Sequence, residues 1–511
     1  MGSNMTNDEF EAIVKDLELR SAQRPGAYKL KVLLLALLGY AYIGFIIATM
    51  AGLLGLASWG ILSGKLKVNF LIFKLAAPLL ILAGIILRAL WVDIPRPTGI
   101  PLKRESAASL FDAVDRLRRA LKSPTVHEVL ITEDFNASVA QIPRLGILGW
   151  HKNYLTIGLP LMQALSPSQF QAVIAHEFGH LSGSHGRFSS WIYRTRITWH
   201  QLMVQLEERD HWGSFIFTRF FEWYAPYFAA YTFVLARAQE YEADKRAAET
   251  LGTENVADML ISLEISDARL QEEFWPSIYK VAEVEDEPPS DVYLEMQRTF
   301  HSEVASDLGQ RWLQRALLGE TDCLDTHPSL SDRLRALRQE PRLPRSMEES
   351  AAEHFRARTA DDDLNRNWKT AIRGSWKERY KYARESKQRL SELEEKAESD
   401  SLTVEEAWQR ACWTEEFRDV EAALPLYQQV LGLKSDHPAA LFSIGRLLLE
   451  RDQPEGIDQI EKAIQLNVEY TLVGCQLVCS FLVEKGRKQE AQAFYERAIS
   501  PAPRLGDIGS G

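Results

Sequence analysis

His176-Glu177-Phe178-Gly179-His180 is a stretch whose residue types and spacing suit metal chemistry. Four residues apart on a helix, His176 and His180 project from the same side, about one turn from each other. Two imidazoles so placed can hold one Zn²⁺ at roughly 2.0–2.1 Å per Zn–N bond. Glu177, one position on from His176, flanks the metal without joining the ligand pair. A base for a metal-activated water belongs there, so the chemistry would be metal-assisted hydrolysis. The same string also occurs on ordinary surface or core helices, so its surroundings must decide.

The helix that would carry it is well marked. Ser166 suits the N-cap, Pro167 the first helical position, and Gln169 sits three residues after the cap. Phe170, Val173, Ile174 and Phe178 recur at three-to-four spacing and give the helix an apolar face. Gly179 costs about 1 kcal/mol of helix propensity relative to Ala, which points to another element approaching closely there.

A zinc hydrolase needs a third protein ligand and one open position. Candidates lie in Arg237-Ala238-Gln239-Glu240-Tyr241-Glu242-Ala243-Asp244, within a helix predicted from Phe233 to Leu251, where Gly252 can cap it. Glu240 and Asp244 share a face. Glu240 can take the third position, and Asp244 can accept a hydrogen bond from the distal nitrogen of a zinc histidine, fixing its tautomer. Glu242, facing elsewhere, is the competing carboxylate. A histidine ten residues after the first is another known pattern. Gly183 would fit its glycine, but His185 comes nine residues after His176.

With 511 residues the chain has room for roughly three domains. It is 46% hydrophobic and 25% charged, which excludes a wholly disordered chain. A net charge of -11 without a basic stripe argues against nucleic-acid binding. Cys323, Cys412, Cys475 and Cys479 show no disulfide framework, which suits a reducing compartment. Cys475 and Cys479, on one predicted helix, read as small buried residues.

An uncharged apolar run from Val32 to Leu62 is long enough to cross a bilayer. Lys65 and Lys67 interrupt it. Val68 to Trp91 is a second run, with Lys74 and Arg88 placed to snorkel and Trp91 to anchor at the interface. The short break predicts a transmembrane hairpin. Basic residues crowd both outer flanks: Lys15, Arg20, Arg24, Lys29 and Lys31, then Arg96, Lys103 and Arg104. The positive-inside rule then puts the termini in the cytoplasm. The expectation is a multi-pass protein of the cell (inner) membrane with its soluble domains on the cytoplasmic side. Residues 188–235 are aromatic but interrupted by charge, and read as two amphipathic helices lying against the membrane or forming a lid.

From Arg96 the chain turns soluble in character. A helix is predicted over Ser106–Leu121, a strand over Val126–Thr132, and a strand pair over Leu145–Ile157 around Gly149-Trp150-His151-Lys152-Asn153. A small sheet thus precedes the histidine helix. An edge strand of such a sheet can pair with an extended peptide.

His176-Glu177-Phe178-Gly179-His180 followed by Glu240-Tyr241-Glu242-Ala243-Asp244 resembles the gluzincin membrane peptidases, which include the HtpX heat-shock proteases and the CAAX prenyl proteases. Three further stretches agree. Asn136-Ala137-Ser138 resembles the family's substrate-binding edge strand. Leu155-Thr156-Ile157-Gly158-Leu159 resembles the strand entering the active-site helix. Thr326-His327-Pro328-Ser329-Leu330 with Arg333-Leu334 resembles its downstream His-Pro motif. The resemblance covers roughly residues 100–340. It implies an α+β zincin-like domain holding one Zn²⁺ per chain through His176, His180 and Glu240. Glu177 would be the base, with His327 near the oxyanion, and Asn136 and Ala137 would bind substrate. The segment between the two zinc helices departs from many relatives in lacking clean extra spans.

Residues 340–400 are highly charged. Pro341, Pro344 and Asp361-Asp362-Asp363 read as a linker before a long helix over Asn365–Ala397. Beyond residue 404, Ala423-Tyr427-Val430 recurs as Gly456-Ile460-Ala463 and as Ala491-Tyr495-Ala498. Offsets of 33 and 35 residues resemble the tetratricopeptide period of about 34, whose arrays bind peptide segments or partner proteins.

The chain thus reads as mainly α: an N-terminal segment (1–31), a transmembrane hairpin (32–91), a peptidase domain (96–340), a charged linker and long helix (341–400), and helical repeats (402–500). The expected function is that of a membrane-anchored zinc endopeptidase acting on proteins or peptides, membrane proteins among them, with repeats that recruit or gate substrates. The alternative is an inactive scaffold of the same fold whose repeats bind partner proteins at the membrane.

Overall fold

The computed structural model describes residues 7–64, 95–143, 151–182, 214–319, 326–344, 347–355 and 361–499, with single positions inside the gaps. The chain divides into two compact units: Met1–Trp275 with Ser290–Trp368, and Pro276–Pro289 with Lys369–Gly511.

The first unit begins with α1 (Asn7–Gln23) and α2 (Pro25–Leu62). α2 is long and apolar enough to cross a membrane and starts earlier than its uncharged core, at Pro25, a residue suited to a first helical turn. One face buries Val32, Ala36, Ile43 and Met50, while Leu34, Phe45, Leu56 and Trp59 are exposed. The second predicted span lies outside the described residues except for Ala77, Leu80, Ile81 and Gly84.

Strands β1 (Ile100–Leu102), β2 (Glu128–Thr132), β3 (Ala137–Pro143) and β4 (His151–Gly158) form a sheet in the order β1-β2-β4-β3. β2 pairs parallel with β4, and β3 antiparallel with β4. β3 therefore lies at an edge, where its outer backbone groups can pair with another chain. The predicted strand pair over Leu145–Ile157 is corrected. The antiparallel partner of β4 is Ala137–Pro143, and residues 144–150 lie outside the described set. Between β1 and β2 runs α3 (Ala108–Ala120), whose buried Leu110, Ala113, Val114 and Leu117 follow helical spacing.

After α4 (Leu159–Ala164) comes α5 (Pro167–Leu181), which opens with a full capping box. Ser166 Oγ accepts from Gln169 N, and Gln169 Oε1 accepts from Ser166 N at 3.0 Å. α6 (Ser214–Leu251) is one 38-residue helix running through Pro226, not a helix starting at Phe233. A proline should weaken it there. Tertiary packing outweighs that loss. Phe221, Tyr224 and Phe228 are buried in one cluster with α2, and Tyr224 Oη donates to Leu35 O at 2.8 Å. Within 188–235, Ile192 and Trp199 join the same buried cluster, while Trp223 and Tyr227 are exposed. Gly252, at φ +93°, takes the left-handed turn from α6 into α7 (Thr253–Arg269).

A π-helical turn (Leu270–Phe274) leads to α8 (Trp275–Val281). Then come α9 (Val292–His301), α10 (Ser306–Leu318), α11 (Leu330–Leu337), α12 (Ala351–His354) and α13 (Asp361–Ser399). Asp361–Asp363, read as linker, instead form the acidic first turn of α13, where they complement the helix dipole. Within the second unit, buried Trp376 donates to Glu285 O at 2.9 Å, and Arg379 pairs with Glu283 and Glu416.

The second unit continues as three helix pairs: α14 (Val404–Phe417) with α15 (Val420–Leu433), α16 (Pro438–Glu450) with α17 (Gly456–Leu466), and α18 (Thr471–Glu484) with α19 (Lys488–Ile499). Their first helices start at 404, 438 and 471, offsets of 34 and 33 residues. Ala423, Tyr427 and Val430 are buried, as are Gly456, Ile460 and Ala463. In the third pair the register shifts: Ala491 and Phe494 are buried and Tyr495 is exposed. Cys475 is buried, and the half-buried Cys479 donates through Sγ to Ala491 O.

Candidate metal centre

α5 and α6 cross at Gly179. A Cβ there would lie 3.0 Å from Ala243 Cα and 3.2 Å from its carbonyl oxygen. Only glycine allows this approach without displacing a helix. The close crossing sets His176 and His180, on α5, against Glu240 and Asp244, on α6.

The donor atoms of His176, His180 and Glu240 lie within 4.8 Å of one another. His176 Nε2 and His180 Nε2 are 3.1 Å apart. Glu240 Oε2 is 3.5 Å from the first nitrogen, and Oε1 3.4 Å from the second. Ligand atoms at roughly 2.05 Å from a tetrahedral Zn²⁺ are about 3.3 Å apart, so these edges suit that ion. Two imidazoles and a carboxylate are also donors that zinc accepts. The donor set therefore fits zinc by both spacing and chemistry.

Asp244 is almost wholly buried, and His176 Nδ1 donates to its Oδ1 at 2.9 Å. That bond leaves the Nε2 lone pair pointing at the metal position. Asp244 is itself gripped by Arg333 on α11, with Nε to Oδ2 at 2.8 Å and Nη2 to Oδ1 at 2.6 Å. Burial pushes the Asp244 carboxyl up, but the bonds from Arg333 and His176 outweigh it and hold it at about 2. The same balance holds Glu240 far below the usual carboxylate range. Burial opposes its charge, and hydrogen bonds from His176 and His327 restore it. His180 is depressed by burial and by the neighbouring His176 to about 4 and stays neutral, as a ligand must.

Glu177 is half-buried beside the triad. Burial pushes its carboxyl up to about 7, with His176 pulling down and Glu240 pushing up. The backbone N–H of Val139, on edge strand β3, donates to it. The turn into β3 is fixed by Gly158, where a Cβ would run into the carbonyl oxygen of Asp134. Its N–H donates to Asn136 O at 2.8 Å. Asn136 and Ala137 line a cavity together with His176, Glu177 and His327.

Glu242 is on the solvent side of α6, bonded to Arg246, and so cannot compete with Glu240. His185 lies outside the described residues. His327 Nδ1 donates to Glu240 Oε2 at 3.0 Å from a largely exposed position. This contact is with the third ligand candidate. Sequence reasoning gave Arg333 no role beyond membership of the His-Pro motif. Its partner lies 89 residues earlier, and nothing in local spacing pairs them. The structural signal is the Ser329 N-cap, whose side chain accepts from Asp332 N. It starts α11 directly after His327-Pro328 and so aims both side chains at α6.

The family model of Peptidase family M48 matches residues 134–341. That span holds both histidines, Glu177, Glu240, Asp244, His327 and Arg333, and the match supports assignment to the M48 metallopeptidases. No curated protein matches the chain.

Proposed function

We propose that this chain is a membrane-anchored zinc endopeptidase of the M48 type. The observation that carries the proposal is that two imidazole nitrogens 3.1 Å apart each have an oxygen of the Glu240 carboxylate within 3.5 Å, beside a second carboxylate held out of the ligand set. His176, His180 and Glu240 would hold the ion, with Asp244 and Arg333 fixing the first imidazole. Zinc, when bound, polarises a carbonyl and lowers the pKa of water to about 7.

The chain's own residues do the rest. The outer edge of β3 takes the substrate backbone as an added strand. Glu177 accepts the proton of the attacking water and returns it to the leaving amine. The elevated proton affinity that burial gives it suits both halves of that task. His327, at the mouth of the cavity, stands where it can exchange its bond to Glu240 for one to a developing oxyanion. α2, with the second apolar run, anchors the chain as a hairpin with its basic flanks in the cytoplasm. The three helix pairs act as a tetratricopeptide-like array that recruits or gates protein substrates.

The test uses the full-length protein in detergent micelles with unfolded casein as substrate. Zinc-dependent cleavage that vanishes in Glu177→Gln while the zinc stays bound supports the proposal. Equal cleavage by both proteins overturns it.

A further inference from the structure

Next to Glu177 lies a cavity of about 320 Å³, bounded by α5, the start of β3 and α7. Its inner end is apolar, with Leu161, Val173 and Met259 all buried. On α7 the residues change character along one face, from Met259 through Leu263 to Glu264 and Asp267, all of which line the cavity. Both carboxylates are exposed, and among the described residues neither is in an ion pair. Arg333 and His327 also border the space, but they are committed to Asp244 and Glu240. The mouth therefore carries negative charge in excess, in the same cavity as the candidate base.

Resting on the peptidase reading of the site, we infer that this cavity is a specificity subsite for a lysine or arginine side chain flanking the scissile bond. The aliphatic stem lies along Met259 and Leu263, and the cationic head meets Glu264 and Asp267. Long basic side chains bury their methylenes while keeping the charge near water, which is the division this cavity offers. A substrate Asp or Glu at that position meets like charge and is refused. The preference is electrostatic at a wet rim, so added salt weakens it.

The test is a mapping of cut sites by the full-length enzyme in micelles on a mixed peptide library, read by mass spectrometry. Lys and Arg should exceed Asp and Glu on one side of the cut by about tenfold, as like-charge exclusion allows. The Glu264→Gln/Asp267→Asn variant should level Lys with norleucine, and Glu264→Lys/Asp267→Lys should invert the preference toward acids. Unchanged zinc content certifies that the variants are folded. Cleavage without charge preference, or a preference that the variants leave intact, overturns the subsite and spares the peptidase reading. No cleavage of any peptide by the wild-type enzyme overturns the peptidase reading and the subsite with it.

Discussion

Two glycine-mediated helix contacts, one in each unit, show the same packing device put to different ends. At Gly179 the neighbour of α5 is Ala243, flanked by polar groups that the approach draws together. At Gly445 a Cβ would meet Gly456 O at 2.8 Å and Ile460 N at 3.0 Å, and the surroundings are apolar: Leu441, Ile444, Leu447 and Ile460 are buried. In the second unit the close approach joins α16 to α17 through apolar packing. In the first it sets the separation of an imidazole pair and a carboxylate. Packing that elsewhere only stabilises is there a condition for chemistry.

The contrast can be broken at graded strength. Removing a donor should have the largest effect. His180→Ala or Glu240→Ala should lose stoichiometric zinc on dialysis, with cleavage falling to background, and metal analysis beside a casein assay reads both. Chelation of the wild-type protein should do the same reversibly, since adding zinc back restores the donors' partner. Glu177→Gln comes next. Turnover should fall about 10²–10⁴-fold, the usual contribution of a general base, with zinc content unchanged.

Asp244→Asn should weaken zinc binding about 10–100-fold, because the amide no longer fixes the His176 tautomer, and competition with a chelating dye measures it. The smallest effects separate the two glycines. Gly179→Ala and Gly445→Ala should each cost about 1–3 kcal/mol from overpacking, seen as lowered denaturation midpoints. Only Gly179→Ala should also weaken zinc. A Gly445→Ala variant that loses zinc would erase the distinction.

Local features were legible in the sequence. The Ser166 cap, the shared face of His176 and His180 and the shared face of Glu240 and Asp244 follow from helical geometry over a few residues, and each spacing survives folding. The edge position of Ala137 was reached through resemblance rather than through periodicity. Contacts across the chain were not legible. Arg333 meets Asp244, and His327 meets Glu240, through a fold that brings α11 against α6, and no spacing rule spans 89 or 87 residues. The start of α6, nineteen residues before Phe233, was not legible because aromatic packing against α2 carries the helix through Pro226. Tyr495 misled because a degenerate repeat can shift its buried position by one residue, and only the packed neighbours show that Phe494 points inward.

The claim on which the rest depends is that the helices bring two imidazoles and a distant carboxylate around one ion. X-ray absorption at the zinc edge on the full-length protein, with metal content measured on the same sample, tests it most directly. We expect one zinc per chain surrounded by nitrogen and oxygen only, with two histidine rings at about 2.0–2.1 Å. Sulfur scattering at about 2.3 Å, or no bound zinc at all, would contradict it.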